Sequence, residues 1–228
     1  QVHEGDFEKL MHVQQERSRA NWKGSGAHAL PASVREWKAQ NISNAFVGYE
    51  KDVVEDAKVL AVAVGEGGTS WVCLHENPFY SEGGGQASDQ GWCEVNGQKL
   101  RVLDSQKVAD NLQAICVEDA AAILKTQIGK TIKVLVDVEK RSNSRAHHTA
   151  THFLHAALRK FLGTHVTQAG SLVSSERLRF DYSHGKSLTA QELQAIEDLV
   201  NQEIMRASPV LAENCSYDQA MKKGAMAL

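Results

Sequence analysis

Residues 131–155 read TIKVLVDVEKRSNSRAHHTATHFLH, and the period of the hydrophobic pattern changes inside them. Ile132, Val134, Val136 and Val138 alternate with Lys133, Leu135 and Asp137, which is the two-residue period of a β-strand with one buried face. After Glu139 the period becomes 3.6. That predicts a helix over about 145–162 that stops at Gly163, a residue suited to a helix C-cap. One stretch therefore closes a β-rich half and opens a half that mixes helices with strands.

Working upstream, FVGYE, KVLAVAV, SWVCLH, GWCEV, KLRVLDS and LQAICV are further strand candidates between about 45 and 138. Strands recurring every ten to fifteen residues with glycine-rich turns predict a small closed or nearly closed β-barrel. Before them, Gly24, Gly26 and Pro31 mark a loop, a short helix is expected around VREWKAQ, and Phe7, Leu10, Met11 and Gln14 have helical spacing, which predicts a connector helix over 4–22. Downstream of Gly163, SLVSS and RLRFDYS read as a hairpin with Leu178, Phe180 and Tyr182 alternating. A helix then opens on a capping box, Thr189 with Glu192, runs on Leu193, Ile196, Val200 and Ile204, and stops before Pro209. A short last helix is capped by Ser216 with Gln219 and ends at Gly224. The expected class is α+β, divided into a connector at 1–40, a barrel domain at 41–140 and an α+β domain at 141–228.

The composition excludes several function classes. Hydrophobic residues at 42% and charged residues at 23% match a soluble globular chain rather than a disordered or membrane one, and no apolar run reaches the length of a membrane span. The 25 basic residues are outnumbered by 28 acidic ones, so sequence-blind binding to long nucleic acid, which rests on phosphate neutralisation, is not expected; contact with one end of an RNA is compatible. Cys73, Cys93, Cys116 and Cys215 are widely spaced, as in a reducing compartment. The first ten residues, QVHEGDFEKL, have neither methionine nor signal-peptide layout, and the chain is expected to be a piece of a longer one.

Four of the ten histidines fall within HHTATHFLH at 147–155. On a helix, His148, His152 and His155 share one side, with Ala150, Leu154, Ala157 and Phe161 opposite, so the histidine side is expected to lie away from the main core. Imidazoles at i and i+4 stand one above the other and can reach a single tetrahedral zinc ion. Spacing alone leaves two readings open: half of a zinc site, or a polar helix face.

The order of letters adds a resemblance. HHTATHFLHAALRKFLGTHVTQAGSLVSSERLRFDYSH, LTAQELQAIEDLVNQEI and MKKGAMAL closely resemble the editing domain of alanyl-tRNA synthetase, NPFYSEGGGQASDQG resembles that family's glycine-rich motif, and QQERSRANWKGSG resembles its preceding helix. The resemblance implies a translation-factor-like barrel followed by an editing domain of the threonyl/alanyl-tRNA synthetase type, truncated at its C-terminal end. It further implies hydrolysis of mischarged seryl- and glycyl-tRNA(Ala) at a zinc-dependent site, inside a cytoplasmic parent that ligates alanine to tRNA(Ala) with ATP and Mg in another domain. By the same resemblance His148 and His152 are zinc ligands and Thr151 and Gln168 line the amino-acid pocket; the loop of Gly83, Gly84, Gly85 and Gln86 is expected to shape the face that meets the acceptor end of the tRNA, and the scattered charges Arg145 and Arg179 are candidates for its phosphates, or ordinary solvated charge.

Two departures accompany it. His147 stands where the family usually has asparagine, and the family's Cys-x-x-x-His pair would lie past Leu228, leaving two of four zinc ligands here. Arg141, Arg159, Lys160 and Arg177 are further candidates for phosphate contact, or ordinary solvated charge. The GGQ within GGGQ is also the signature of class I peptide-chain release factors, but the acidic neighbours Glu82 and Asp89 oppose that reading, and Gln86 is expected to be structural rather than catalytic. A metal-free RNA-binding or structural module is the alternative of another class.

Overall fold

The computed structural model describes residues 11, 30–118, 120–211 and 213–224. The connector helix expected at 4–22 lies outside the described residues apart from Met11, which is helical. The chain divides into two compact units: residues 1–83 with 87–141, and residues 84–86 with 142–228.

The first unit contains helix α1 (Ala32–Ala39), strands β1 (Ala45–Phe46), β2 (Val53–Val64), β3 (Ser70–Leu74), β4 (Glu76–Asn77), β5 (Gly91–Val95), β6 (Gln98–Ala109), β7 (Leu112–Val117) and β8 (Thr131–Val136), and helix α2 (Ala121–Lys125). Six strands close a barrel in the order β2-β3-β7-β6-β5-β8, while β1 and β4 form a short parallel pair. All barrel pairings are antiparallel. The two longest strands carry the closure. β2 shifts register between Val54 and Ala57 and again between Val59 and Ala61, and β6 does so between Val102 and Asp104, so each bends at bulges as it passes from one neighbour to the other. The turn from β5 to β6 is Asn96-Gly97, with φ of 49° and 78°, the backbone that a tight two-residue hairpin demands.

Val59, Val72, Leu74, Phe79, Cys93, Val95, Val102, Ile115 and Val134 are among the residues that fill the barrel. A second cluster forms on its outside, where Val34 and Trp37 of α1 cover Trp71, Cys73, Leu112 and Cys116. That cover explains the apolar run at 71–74 in β3: Val72 and Leu74 are buried inside the barrel, Trp71 and Cys73 beneath the helix. The expected strands recur, with two differences. FVGYE contributes only Phe46 to a strand before turning, and Val138 does not continue the alternation of β8; it begins the next helix and is exposed. Asp137 causes that change by accepting a hydrogen bond from the Lys140 amide at 3.1 Å, an N-cap that starts the helix seven residues earlier than the apolar pattern suggests.

Arg141 closes the first unit. Its guanidinium is buried and donates to Asp89, to Asp52 Oδ1 at 2.7 Å, and to the carbonyls of Gly48 and Pro78. It is thus a structural ion pair of the barrel and not a free phosphate contact.

The second unit holds most of helix α3 (Val138–Leu162), the antiparallel hairpin β9 (Gln168–Val173) and β10 (Leu178–Tyr182), and helices α4 (Ala190–Arg206) and α5 (Tyr217–Lys222). Ala157 and Leu158 of α3, Val166 and Ile196 of α4 are its buried centre, with Phe180, Tyr182, Leu188 and Val200 packed around them. Both expected capping boxes form, at Thr189 with Glu192 and at Ser216 with Gln219. Ala207 in the left-handed region ends α4 before Pro209. Among the described residues, no helix is long and apolar enough to cross a membrane.

Candidate functional site

Helix α3 carries the histidines, and its buried stripe is only in part the one the apolar residues suggest: Ala157 is buried and Leu154 packs beside it. Thr151, His155 and Leu158 are buried while Phe161, expected on the core side, is exposed. His155 is 3% exposed, its ring lies 5.2 Å from that of Phe180, and its Nε2 is buried without a hydrogen-bond partner. Of the histidine side only His155 packs inward, against Phe180; His148 is half-buried and His152 is exposed.

His148 and His152 stack one turn apart, with ring centroids 5.3 Å apart and planes 19° from parallel. Burial pushes His148 below the ordinary histidine value, and the neighbouring His152 pushes it the same way, so the ring is neutral at physiological pH. Stacked imidazoles at i and i+4 are a fitting donor pair for zinc. Among the described residues no group of three or more His, Cys, Asp or Glu could hold a metal ion, so His147 does not join the pair. His147 instead places Nδ1 2.7 Å from the Ser174 carbonyl.

The tip of the glycine-rich segment, residues 84–86, belongs to this same unit. The Val173 amide donates to the Gly85 carbonyl at 2.8 Å, and Gln86 forms a parallel bridge with Val173, so the tip lies along β9. Gly85 is required twice over: its φ is +78°, and a Cβ there would come within 2.2 Å of Ser171 Oγ and 2.8 Å of the Ser171 carbonyl. Gln86 is buried, with Oε1 2.7 Å from His148 Nδ1.

Thr151 donates its hydroxyl proton to the His147 carbonyl at 2.9 Å, which leaves the oxygen lone pairs as acceptors. Gln168 opens β9, half-buried, and its amide donates to Ser171 Oγ at 3.3 Å. The structure thus brings His148, His152 and Gln86 into direct contact and reaches Gln168 through Ser171, while no hydrogen bond joins Thr151 to Gln168.

Residues 1–140 match the family model described as tRNA synthetases class II (A). The chain belongs to that family. Along its full length it is similar to curated alanine–tRNA ligases. That of Sulfurovum sp. (strain NBC37-1) is 44% identical over 232 residues, covering 97% of this chain and 26% of the relative. That of Bdellovibrio bacteriovorus is 39% identical over 241 residues, covering 100% and 26%, and that of Campylobacter jejuni subsp. jejuni serotype O:23/36 is 40% identical over 234 residues, covering 100% and 27%. The chain spans about a quarter of the length of the curated relatives it matches.

In this class II synthetase segment the family match ends at residue 140, while the histidine pair lies in the stretch that only the ligase relatives cover. Arg145 is exposed on α3, and Arg179 is exposed on β10 and paired with Asp181 at 2.8 Å. Gly83 is half-buried, and Gly84 and Gly85 are exposed. Sequence reasoning did not single out Ser171 and Ser174, whose contacts with Gln168, Gly85 and His147 arise only when the hairpin folds. Nothing in their spacing marks them.

Proposed function

We propose that the chain is the editing region of an alanyl-tRNA synthetase and hydrolyses the aminoacyl ester of seryl- and glycyl-tRNA(Ala). The observation that carries this reading is the stacked His148–His152 pair with Gln86 bonded to it, in a chain that aligns throughout with alanine–tRNA ligases. The chemical need is clear. A pocket that accepts alanine cannot exclude the smaller glycine, and an apolar pocket rejects an added hydroxyl weakly, so a second site has to remove the errors.

In this proposal the connector at 1–40 and the barrel at 41–140 precede an α+β editing domain from 141 onward whose remaining part lies past Leu228. The parent is a cytoplasmic ligase using ATP and Mg in its aminoacylation domain. Zinc, held by His148 and His152 with a Cys-x-x-x-His pair beyond residue 228, would supply Lewis-acid polarisation or orientation. The Thr151 oxygen accepts a hydrogen bond from the serine hydroxyl, which selects seryl over alanyl ester, and the Gln168 amide orients the ester or the attacking water. Arg145, Arg179 and the tip at 83–86 take the CCA end.

The test is single-turnover deacylation by the chain joined to its second donor pair. Thr151→Ala and Gln168→Ala should each slow seryl-tRNA(Ala) hydrolysis or erode its preference over alanyl-tRNA(Ala); unchanged rates and preference in both variants would overturn the pocket assignment. A metal-free RNA-binding module is the alternative of another class. It predicts tRNA binding without ester loss in the same assay. The release-factor reading gains nothing, because the Gln86 side chain is buried and engaged by His148.

A further inference from the structure

Gln86 sits at a position fixed by its bridge to β9 and by the lack of space beside Gly85. The Gly85 carbonyl accepts from the Val173 amide, Gln86 itself bridges Val173, and Gly85 has no room for a side chain against Ser171. The side chain that follows is 8% exposed and ends with Oε1 2.7 Å from His148 Nδ1. An amide oxygen can only accept, so this contact requires the His148 proton on Nδ1 and leaves the lone pair on Nε2. A free imidazole favours the opposite tautomer. His148 Nε2 makes no hydrogen bond among the described residues, and the His152 ring stacks beside it.

We propose that Gln86 is a positioning residue that holds His148 in the Nδ1–H tautomer and so presents Nε2 as the donor atom of the histidine pair. The glycine-rich segment thereby acquires a defined chemical role, in which its glycines let the backbone lie on β9 and its glutamine reaches the helix. A hydrogen bond to the far nitrogen both orients a ligating ring and raises its basicity, and loss of such a partner typically weakens metal affinity about 10–100-fold. From the editing proposal this inference takes only the choice of His148 and His152 as the pair that matters.

The test reads the tautomer directly, by long-range 1H–15N correlation on the 228-residue chain without metal, about two pH units above the ordinary histidine pKa. The proposal expects protonated Nδ1 and unprotonated Nε2 for His148 in the unmodified chain, the same pattern in Gln86→Glu, which keeps an acceptor oxygen, and a reversal toward Nε2–H in Gln86→Leu. A proton on Nε2 in the unmodified chain overturns the proposal, as does a Gln86→Leu spectrum with unchanged His148 nitrogens. If Gln86→Leu fails to fold, the unmodified chain alone decides between these outcomes. The second readout is zinc titration of the chain joined to its second donor pair. Gln86→Leu should bind about 10–100-fold more weakly while Gln86→Glu retains affinity; equal affinity in Gln86→Leu would contradict the role. The tautomer is measured without tRNA or turnover, so its failure is distinguishable from failure of the editing function.

Discussion

At the scale of the residue, Arg141 shows how a charge can belong to a core. It has 5% side-chain exposure, Asp89 opposite it also has 5%, and the remaining donors reach Asp52, Gly48 and Pro78. Removing one member leaves the other buried and unpaired, so Arg141→Ala should destabilise the barrel unit by about 3–5 kcal/mol, measured by chemical denaturation. Arg141→Lys should recover little, because one ammonium cannot reproduce the planar fork. The cysteines give a second residue-scale prediction. Burial pushes the thiols of Cys73 and Cys93 up to about 12 and that of Cys116 up to about 11, whereas Cys215 is exposed. Since the thiolate is the reactive form, an alkylating reagent at neutral pH should modify Cys215 in the native chain and reach the other three only after unfolding; rapid modification of any of the three would contradict the barrel packing. At this scale the sequence was partly legible. The i, i+4 histidine spacing announced the stacked pair, but Arg141 looked like one more scattered charge, because its partners Asp52 and Asp89 meet it only through the fold.

At the scale of the element, local signals were the most readable. Thr189 and Glu192 were recognisable as a capping box because the interaction spans one turn and needs no tertiary partner, and the box forms. Thr189→Ala should lower the stability of the second unit by about 1 kcal/mol, seen as an earlier denaturation midpoint. The Thr189 backbone amide, and after it the Thr189 hydroxyl, holds the Glu192 carboxyl below the ordinary carboxylate range. A depressed folded-state value means that the cap is fully effective above the ordinary Glu pKa and is lost as pH falls through the lowered one. The difference between the parent and Glu192→Gln should therefore shrink on acidification. Helix α3 was less readable. Its start was hidden because Asp137 caps it while the apolar alternation of β8 runs on in the letters to Val138, and its packed stripe was only partly legible: Leu154 and Ala157 pack as expected, but Thr151 and His155 are polar letters in buried places. The tip at 84–86 could be recognised as a glycine-rich motif, yet its alignment along β9 depends on Ser171 and Val173, more than eighty residues away in the chain. Gly85→Ala should therefore perturb the amide resonances of Ser171 and Val173, whereas Gly84→Ala, which meets no atom within 4 Å, should leave that contact in place and disturb only the turn, where φ is +59°.

At the scale of the whole molecule, the α+β class and a small β-barrel followed from periodicity, because strands of two-residue period and helices of 3.6 leave different marks on the same alphabet, while the closure by six strands is read from the fold. Membership of the class II synthetase family and similarity to alanine–tRNA ligases along the chain agree with the motif resemblance. Function is not a property of that architecture; the editing proposal rests on the histidine pair and the residues around it. The most direct measurement is the decay of seryl-tRNA(Ala), beside alanyl-tRNA(Ala), in the presence of the chain joined to its second donor pair, with and without a zinc chelator. The editing account predicts rapid loss of the serine ester alone, abolished by chelation and by His148→Ala. Decay of both esters at the rate seen in buffer would contradict it.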